Sequence, residues 1–100
     1  MVVHHGFHAT MTARPGLGDK VVELLLAAPA LPHDDCVVFL VGRSARNPDV
    51  VHVTEGWVSE EAHTRFFAAE PAQALVAAIQ PLLTDSQYTD EVPVGGKATF

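Results

Sequence analysis

Positive charge, cysteine and long apolar runs are all scarce in this sequence of 100 residues, and each shortage excludes a class of protein. Six Lys and Arg stand against twelve Asp and Glu, and no basic run offers a surface that would follow nucleic-acid phosphates. The single cysteine, Cys36, has no intrachain disulfide partner, which fits a reducing compartment. No apolar stretch approaches the roughly 20 residues that span a bilayer, and no secretory signal is evident. We therefore expect a cytoplasmic protein that binds neither nucleic acid nor membranes.

Apolar residues, by contrast, are plentiful. They make up 48% of the chain, whereas charged residues make up 18%. This balance is typical of a folded globule, and a chain of this length forms one hydrophobic core. We expect a single domain over residues 1–100.

The spacing of the apolar residues predicts the order β-α-β-β-α-β. Alternating polarity predicts four strands, over residues 2–13, 36–43, 50–58 and, weakly, 87–94. Helical spacing predicts helices over residues 17–28 and 59–69 and a further helical segment from Pro71, which Pro81 disturbs. Residues 84–86 have the composition of a polar turn. The order is that of the ferredoxin-like split βαβ motif, an α+β fold with an antiparallel sheet and both helices on one face.

This architecture leaves the other sheet face uncovered. The residues expected there include Val2, Val38, Leu40 and Val50, which are too apolar to face water. A second copy packed by two-fold symmetry is the simplest cover, so we predict a homodimer.

Three segments resemble one known family. They are residues 13–20 (ARPGLGDK), residues 53–63 (VTEGWVSEEAH) and residues 94–97 (VGGK). Together they resemble the antibiotic biosynthesis monooxygenase family, which is also called quinol monooxygenase-like. The resemblance implies a dimeric α+β barrel with a pocket between helices and sheet. It also implies O₂-dependent oxidation of a phenolic, anthrone-type or quinol substrate, without a metal or flavin cofactor.

Such an oxidation requires an electron-rich substrate anion, so the site needs a base or an oxyanion donor in a water-poor pocket. The resemblance implies that Trp57 points into the pocket, where its indole N–H can donate to a substrate or peroxide oxygen; the alternative is that it fills the core. Glu55 shares the strand face of Trp57, and burial would raise its pKa toward that of a working base. The alternative is a structural ion pair with an Arg across the sheet.

Two histidines are further catalytic candidates. His63 follows Trp57 on a helix, where it can shuttle protons near neutral pH or else face solvent. His5 shares a strand face with Phe7 and Met11 and points toward the helices, either as a catalytic group or as a satisfied core residue. The expected substrate-binding residues are Phe7, Met11, Phe66, Phe67, Arg43 and Tyr88.

The histidines do not have the spacing of a metal site. His4 and His8 share a strand face but lie about 13 Å apart on an extended chain, too far for one ion. The only His-x-x-x-His spacing is this one, on a predicted strand and not on a helix, and a single cysteine excludes a Cys-x-x-Cys pattern, so we expect no metal.

Two other functions stay open. Heme-degrading relatives use an Asn on the first strand and a His about ten residues beyond the Trp, whereas here that strand has no Asn and the helix carries Phe66 and Phe67. These phenylalanines could stack on a planar ligand. They therefore also fit a non-catalytic protein that binds a small aromatic molecule.

Overall fold

A computed structural model describes residues 2–97, which form four strands and three helices. The elements are β1 (His5–Ala13), α1 (Gly18–Leu26), β2 (Cys36–Arg43), β3 (Val50–Trp57), α2 (Glu60–Ala68), α3 (Glu70–Ile79) and β4 (Leu83–Glu91). A single 3₁₀ turn, Gln80–Leu82, joins α3 to β4. No helix within residues 2–97 combines the length and the apolar composition needed to cross a membrane.

The strands form one sheet in the order β2-β3-β1-β4, with every neighbouring pair antiparallel. Residues of β1 and β3 that share one face, among them Ala9 and Val53, pack against Val21 of α1 and Ile79 of α3. Trp57, at the end of β3, packs on the same face against Ala62 of α2. All three helices therefore cover one face, and the predicted ferredoxin-like α+β fold is confirmed.

The loop between β1 and α1 is held by a carboxylate from elsewhere in the chain. Asp49 precedes β3 and accepts hydrogen bonds from the backbone N–H groups of Gly16 (3.0 Å) and Gly18 (2.9 Å). Gly16 has a φ of 84°, which favours glycine, and a side chain at Gly18 would collide with the backbone of Pro48. These hydrogen bonds lower the pKa of Asp49.

The ends of α2 follow from its local sequence. The hydroxyl of Ser59 accepts a hydrogen bond from the N–H of Ala62 at 3.1 Å, and two glutamates occupy the first turn. Ala69 has an extended backbone and ends the helix, and Pro71 lies in the first turn of α3. The predicted split of this helical region is confirmed.

The last strand starts earlier than the sequence predicts. Residues 84–86, predicted as a turn, belong to β4 and pair with β1, where Thr12 lies opposite Asp85. The prediction was wrong because Pro81 ends the helix within a 3₁₀ turn and leaves no room for a connection. As an edge strand, β4 is mostly exposed, so its polar residues do not alternate with apolar ones. The first strand, in turn, begins at His5 and not at Val2.

The sheet face opposite the helices carries exposed apolar side chains. Leu40, in the middle of β2, is 45% exposed, and Val38 and Val50 are half-buried. Val2, before β1, is also exposed. Packing of this face against a second copy stays a prediction.

Candidate functional site

A largely apolar cavity of about 90 Å³ lies between the sheet and the helices. Its walls come from all three helices and all four strands, including Phe7, Met11, Phe39, Phe66, Phe67, Leu75, Ile79 and Tyr88. Phe67 and Tyr88 are also about half-exposed. Glu55 is the one charged side chain among the described residues that line the cavity. The arrangement suits an apolar, planar ligand that meets one carboxylate.

Glu55, which is largely buried, and Trp57, which is fully buried, form a pair on the helix-facing side of β3. The indole Nε1–H of Trp57 donates a hydrogen bond of 2.8 Å to Oε1 of Glu55. Trp57 is fully buried and does not line the cavity, and its N–H is directed at Glu55 and not into the cavity. Only 13% of the Glu55 side chain is exposed, and this burial raises its pKa against the opposing effects of the Trp57 hydrogen bond and the charge of His5. No Arg pairs with Glu55 among the described residues.

His63 is buried on the sheet-facing side of α2, so the solvent-facing alternative is wrong. Its Nε2 lies 3.7 Å from Oε1 of Glu55, and its Nδ1 lies 3.2 Å from Nε2 of His5. Burial lowers the pKa of His63, as does the nearby His5, whereas Asp90 acts in the opposite direction. The imidazole of His63 thus links the carboxylate at the cavity to the start of β1.

His5 is the first residue of β1 and is 3% exposed. Its Nε2 lies 3.2 Å from Oδ1 of Asp90, and its Nδ1 lies 3.9 Å from Oε2 of Glu60. Asp90 and Glu60 are both exposed. Side chains therefore connect the cavity carboxylate of Glu55 with the protein surface through His63 and His5.

The structure brings nine of the ten sequence-predicted site residues together. Six of them line the cavity: Glu55, Phe7, Met11, Phe66, Phe67 and Tyr88. Trp57, His63 and His5 form a layer beside Glu55. Arg43 lies elsewhere, because its Nη1 donates to Oδ1 of Asp19 on α1 at 2.8 Å.

Sequence reasoning missed Asp90 and Glu60. Asp90 lies opposite Phe7 in the β1–β4 register, which places both on the helix-facing side of the sheet. The signal that could have found Asp90 is that Tyr88 and Asp90 alternate in step with the clearer alternation of β1. The predicted boundaries of β4 did not show which residues of β1 these two lie opposite. With His5 and His63, Asp90 forms a cluster whose three possible metal-ligand atoms lie within 4.8 Å of one another.

Comparisons with known proteins identify a family model that matches most of the chain. A sequence model described as "Antibiotic biosynthesis monooxygenase" matches residues 5–78, a segment that contains Glu55, Trp57 and His63. The chain matches no curated protein.

Several solved structures share the fold. One from Chloroflexus aurantiacus, provisionally described as an antibiotic biosynthesis monooxygenase, is 28% identical, with a TM-score of 0.82 over 94% of this chain and 96% of that one. Another with the same provisional description, from Deinococcus radiodurans, is 22% identical, with a TM-score of 0.82 over 96% and 98%. A Pseudomonas aeruginosa protein is 20% identical, with a TM-score of 0.82 over 95% and 98%. At 22% and 20% identity, the last two matches show only that the fold is shared.

Proposed function

The chain belongs to the antibiotic biosynthesis monooxygenase family, and from that premise we propose that it oxidises a phenolic or anthrone-type aromatic compound, or a quinol, with O₂. The observation that carries the proposal is an apolar cavity whose one charged lining residue within residues 2–97 is Glu55. Such a cavity binds an aromatic ring and presents it to a single proton acceptor.

Glu55 acts as the base in this proposal. The phenol hydroxyl gives its proton to the carboxylate, and the resulting phenolate is electron-rich enough to reduce O₂. For a phenol with a free para position, one oxygen atom becomes the second carbonyl of the quinone. The other oxygen leaves as water with the two hydrogens that the substrate loses. The electrons come from the substrate, so this step needs no redox cofactor.

The residues around Glu55 support its role as the base, because they orient its carboxylate and surround it with apolar side chains. The N–H of Trp57 holds one carboxylate oxygen at 2.8 Å, which makes Trp57 a positioning residue. The phenyl ring of Phe7 stacks near Tyr88, with centroids 5.8 Å apart and planes at 18°. Apolar walls exclude water, which strengthens the interaction of the carboxylate with the substrate proton.

The cavity volume favours a small substrate. About 90 Å³ is below the ~300–1,000 Å³ that is usual for ligand pockets, so a single aromatic ring fits this enclosure better than a polycycle. An anthrone would need the half-exposed Phe67 and Tyr88 to move outward. A heme macrocycle is larger still, which disfavours heme degradation.

Oxygen uptake tests this proposal. The chain is incubated with single-ring phenols and quinols, naphthols and anthrone, and uptake is compared with the spontaneous rate. We expect catalysed uptake that is fastest for the single-ring compounds. Glu55→Gln should lower kcat by about 10²–10⁴-fold, because it removes the proton acceptor.

Glu23→Gln is the matched control, since Glu23 is exposed on α1 beside Lys20. This variant should keep the wild-type rate. Uptake at the spontaneous rate with every compound would contradict the proposal, as would a Glu55→Gln variant as fast as the wild type.

The second candidate is a non-catalytic protein that binds a small aromatic molecule. It is favoured by the aromatic lining of the cavity, to which Phe7, Phe66, Phe67 and Tyr88 contribute. Quenching of Trp57 fluorescence by a phenol, with uptake at the spontaneous rate, would identify this function.

We also propose that the chain acts as a homodimer. The exposed Leu40 and half-buried Val38 on the open sheet face support a second copy as the cover.

A further inference from the structure

Three atoms with lone pairs converge beside the cavity. Nε2 of His5 lies 3.2 Å from Nδ1 of His63 and 3.2 Å from Oδ1 of Asp90. One possible metal-ligand atom from each of the three residues lies within 4.8 Å of the other two. The histidines are buried, and Asp90 approaches them from the edge strand β4.

The single ring proton of a neutral His5 cannot give every polar atom of this cluster a good hydrogen bond. If Nε2 of His5 carries the proton, it must share it between Nδ1 of His63 and Oδ1 of Asp90. If His5 carries its proton on Nδ1 instead, its Nε2 can accept a hydrogen bond from Nδ1–H of His63, but it then turns a lone pair toward Oδ1 of Asp90 with no proton between them. A cation at the common point would attract all three atoms.

The separations fit a metal ion. Ligand atoms that bind a first-row metal at about 2.0–2.2 Å lie roughly 3.0–3.5 Å apart in octahedral or tetrahedral geometry. The two measured separations of 3.2 Å fall in this range. A small movement of the exposed Asp90 side chain would bring its oxygen within reach of the same ion.

The outer nitrogen of each histidine faces a carboxylate. Nδ1 of His5 lies 3.9 Å from Glu60, and Nε2 of His63 lies 3.7 Å from Glu55. Histidines that bind metals donate their other ring N–H to such groups, which fixes the tautomer. Both tautomers are consistent here, because His5 would bind through Nε2 and His63 through Nδ1.

The negative charge around the cluster also favours the binding of a cation. Asp90, Glu55 and Glu60 surround two imidazoles, and no Lys or Arg joins this group among residues 2–97. A divalent ion would offset the negative charge that these carboxylates carry when ionised.

We propose that His5, His63 and Asp90 bind a first-row divalent transition-metal ion such as Zn²⁺, Co²⁺ or Fe²⁺. Two imidazoles and one carboxylate suit these ions, whereas Ca²⁺ and Mg²⁺ prefer oxygen ligands. None of the three residues lines the cavity, so the ion lies behind the wall formed by Glu55 and Phe7. The site therefore does not depend on the proposed oxidation.

Cobalt binding tests the site without any assay of oxidation. The untagged chain is stripped with EDTA and titrated with Co²⁺ while visible d–d absorption is recorded; Zn²⁺ is then added to compete. We expect one equivalent of Co²⁺ per chain and displacement by Zn²⁺. Asp90→Asn and His63→Gln should each weaken binding by at least ~10–100-fold, the loss that even outer-shell changes cause.

The matched control is the double variant His8→Gln/His52→Gln. These two histidines also lie close together, with ring centroids 5.8 Å apart, but on the opposite sheet face. The control should bind Co²⁺ as the wild type does. Because Asp90 is 72% exposed, Asp90→Asn should fold normally, and circular dichroism in EDTA checks this.

Three results would overturn the proposal. The first is that the folded wild type shows no saturable binding of Co²⁺. The second is that folded Asp90→Asn binds Co²⁺ as tightly as the wild type does. The third is that only the His8→Gln/His52→Gln variant loses binding. Any of these can occur whether or not the chain consumes O₂, so this proposal and the proposed function fail separately.

Discussion

At the scale of single residues, the site depends on a Trp that acts through its neighbour. Trp57 is buried and donates its N–H to Glu55 and not into the cavity. Strand alternation correctly placed both side chains on the helix-facing side of β3. It gave no information about depth, which is set by Phe66 and His63 packed against the indole ring.

Substitutions of Trp57 separate its hydrogen bond from its volume. Trp57→Phe keeps most of the ring and should lower the free energy of unfolding by about 1.5–3 kcal/mol, the range for a hydrogen bond to a charged group. Trp57→Ala also leaves a cavity and should cost about 3–5 kcal/mol. Urea denaturation measures both. The exposed Tyr88→Phe is the control, and a Trp57→Phe variant that is as stable as this control would contradict the assigned hydrogen bond.

Cys36 should be a poorly reactive thiol. Burial, assisted by the negative charge of Glu55, raises its pKa to about 12, although a hydrogen bond to the carbonyl of Val38 acts in the opposite direction. We expect slow reaction with a thiol reagent at pH 8 in the native protein and fast reaction in urea. The same rate in both states would show that the thiol is not protected.

At the scale of elements, Asp49 ties the start of α1 to the loop before β3. Its folded pKa is lowered, so its contribution to stability is present above the usual carboxyl pKa of 3.8 and is lost as the pH falls through the folded value. Asp49→Asn should therefore lower Tm clearly at pH 7 and much less near pH 2. Thermal melts at both pH values measure the difference.

Asp34→Asn serves as the control, because Asp34 is exposed in the loop before β2. It should leave Tm nearly unchanged at both pH values. A loss in Asp49→Asn that is the same at pH 7 and pH 2 would mean that the charge of Asp49 does not hold the loop.

The elements differ in how far the sequence predicts them. Turns rich in Asn, Pro and Asp bound β2 and β3, and the predicted bounds of β2 are confirmed as Cys36–Arg43. By contrast, β4 is an exposed edge strand whose pairing with β1 comes from backbone hydrogen bonds and not from an apolar face. Its start at Leu83 could not be predicted from hydrophobic periodicity.

At the scale of the whole molecule, the histidine–carboxylate cluster is a product of topology. His5 and His63 are 58 positions apart, and β4 brings Asp90 to them from the end of the chain. Metal-site patterns in sequence rely on short spacings, so such a cluster escapes them. The cavity, in contrast, follows from the family resemblance, and six of its lining residues were predicted.

The open sheet face leads to a prediction about assembly. Sedimentation should give a mass near twice the 10.7 kDa chain. Leu40→Glu should shift the protein toward monomer, because it places a charge in the centre of an apolar interface. Leu26→Glu, at an exposed position on α1, should not. A wild-type mass near 10.7 kDa would contradict the dimer.

Labelling with ¹⁸O₂ tests the central claim most directly. The wild type and Glu55→Gln are each incubated under ¹⁸O₂ with a single-ring phenol that has a free para position, and the quinone is analysed by mass spectrometry. For the wild type, we predict one labelled oxygen in the quinone and no hydrogen peroxide. For Glu55→Gln, we predict that the yield of quinone is lower than that of the wild type by the same factor as its kcat. Unlabelled quinone with hydrogen peroxide, or no quinone above the spontaneous yield, would contradict a monooxygenase that uses Glu55 as its base.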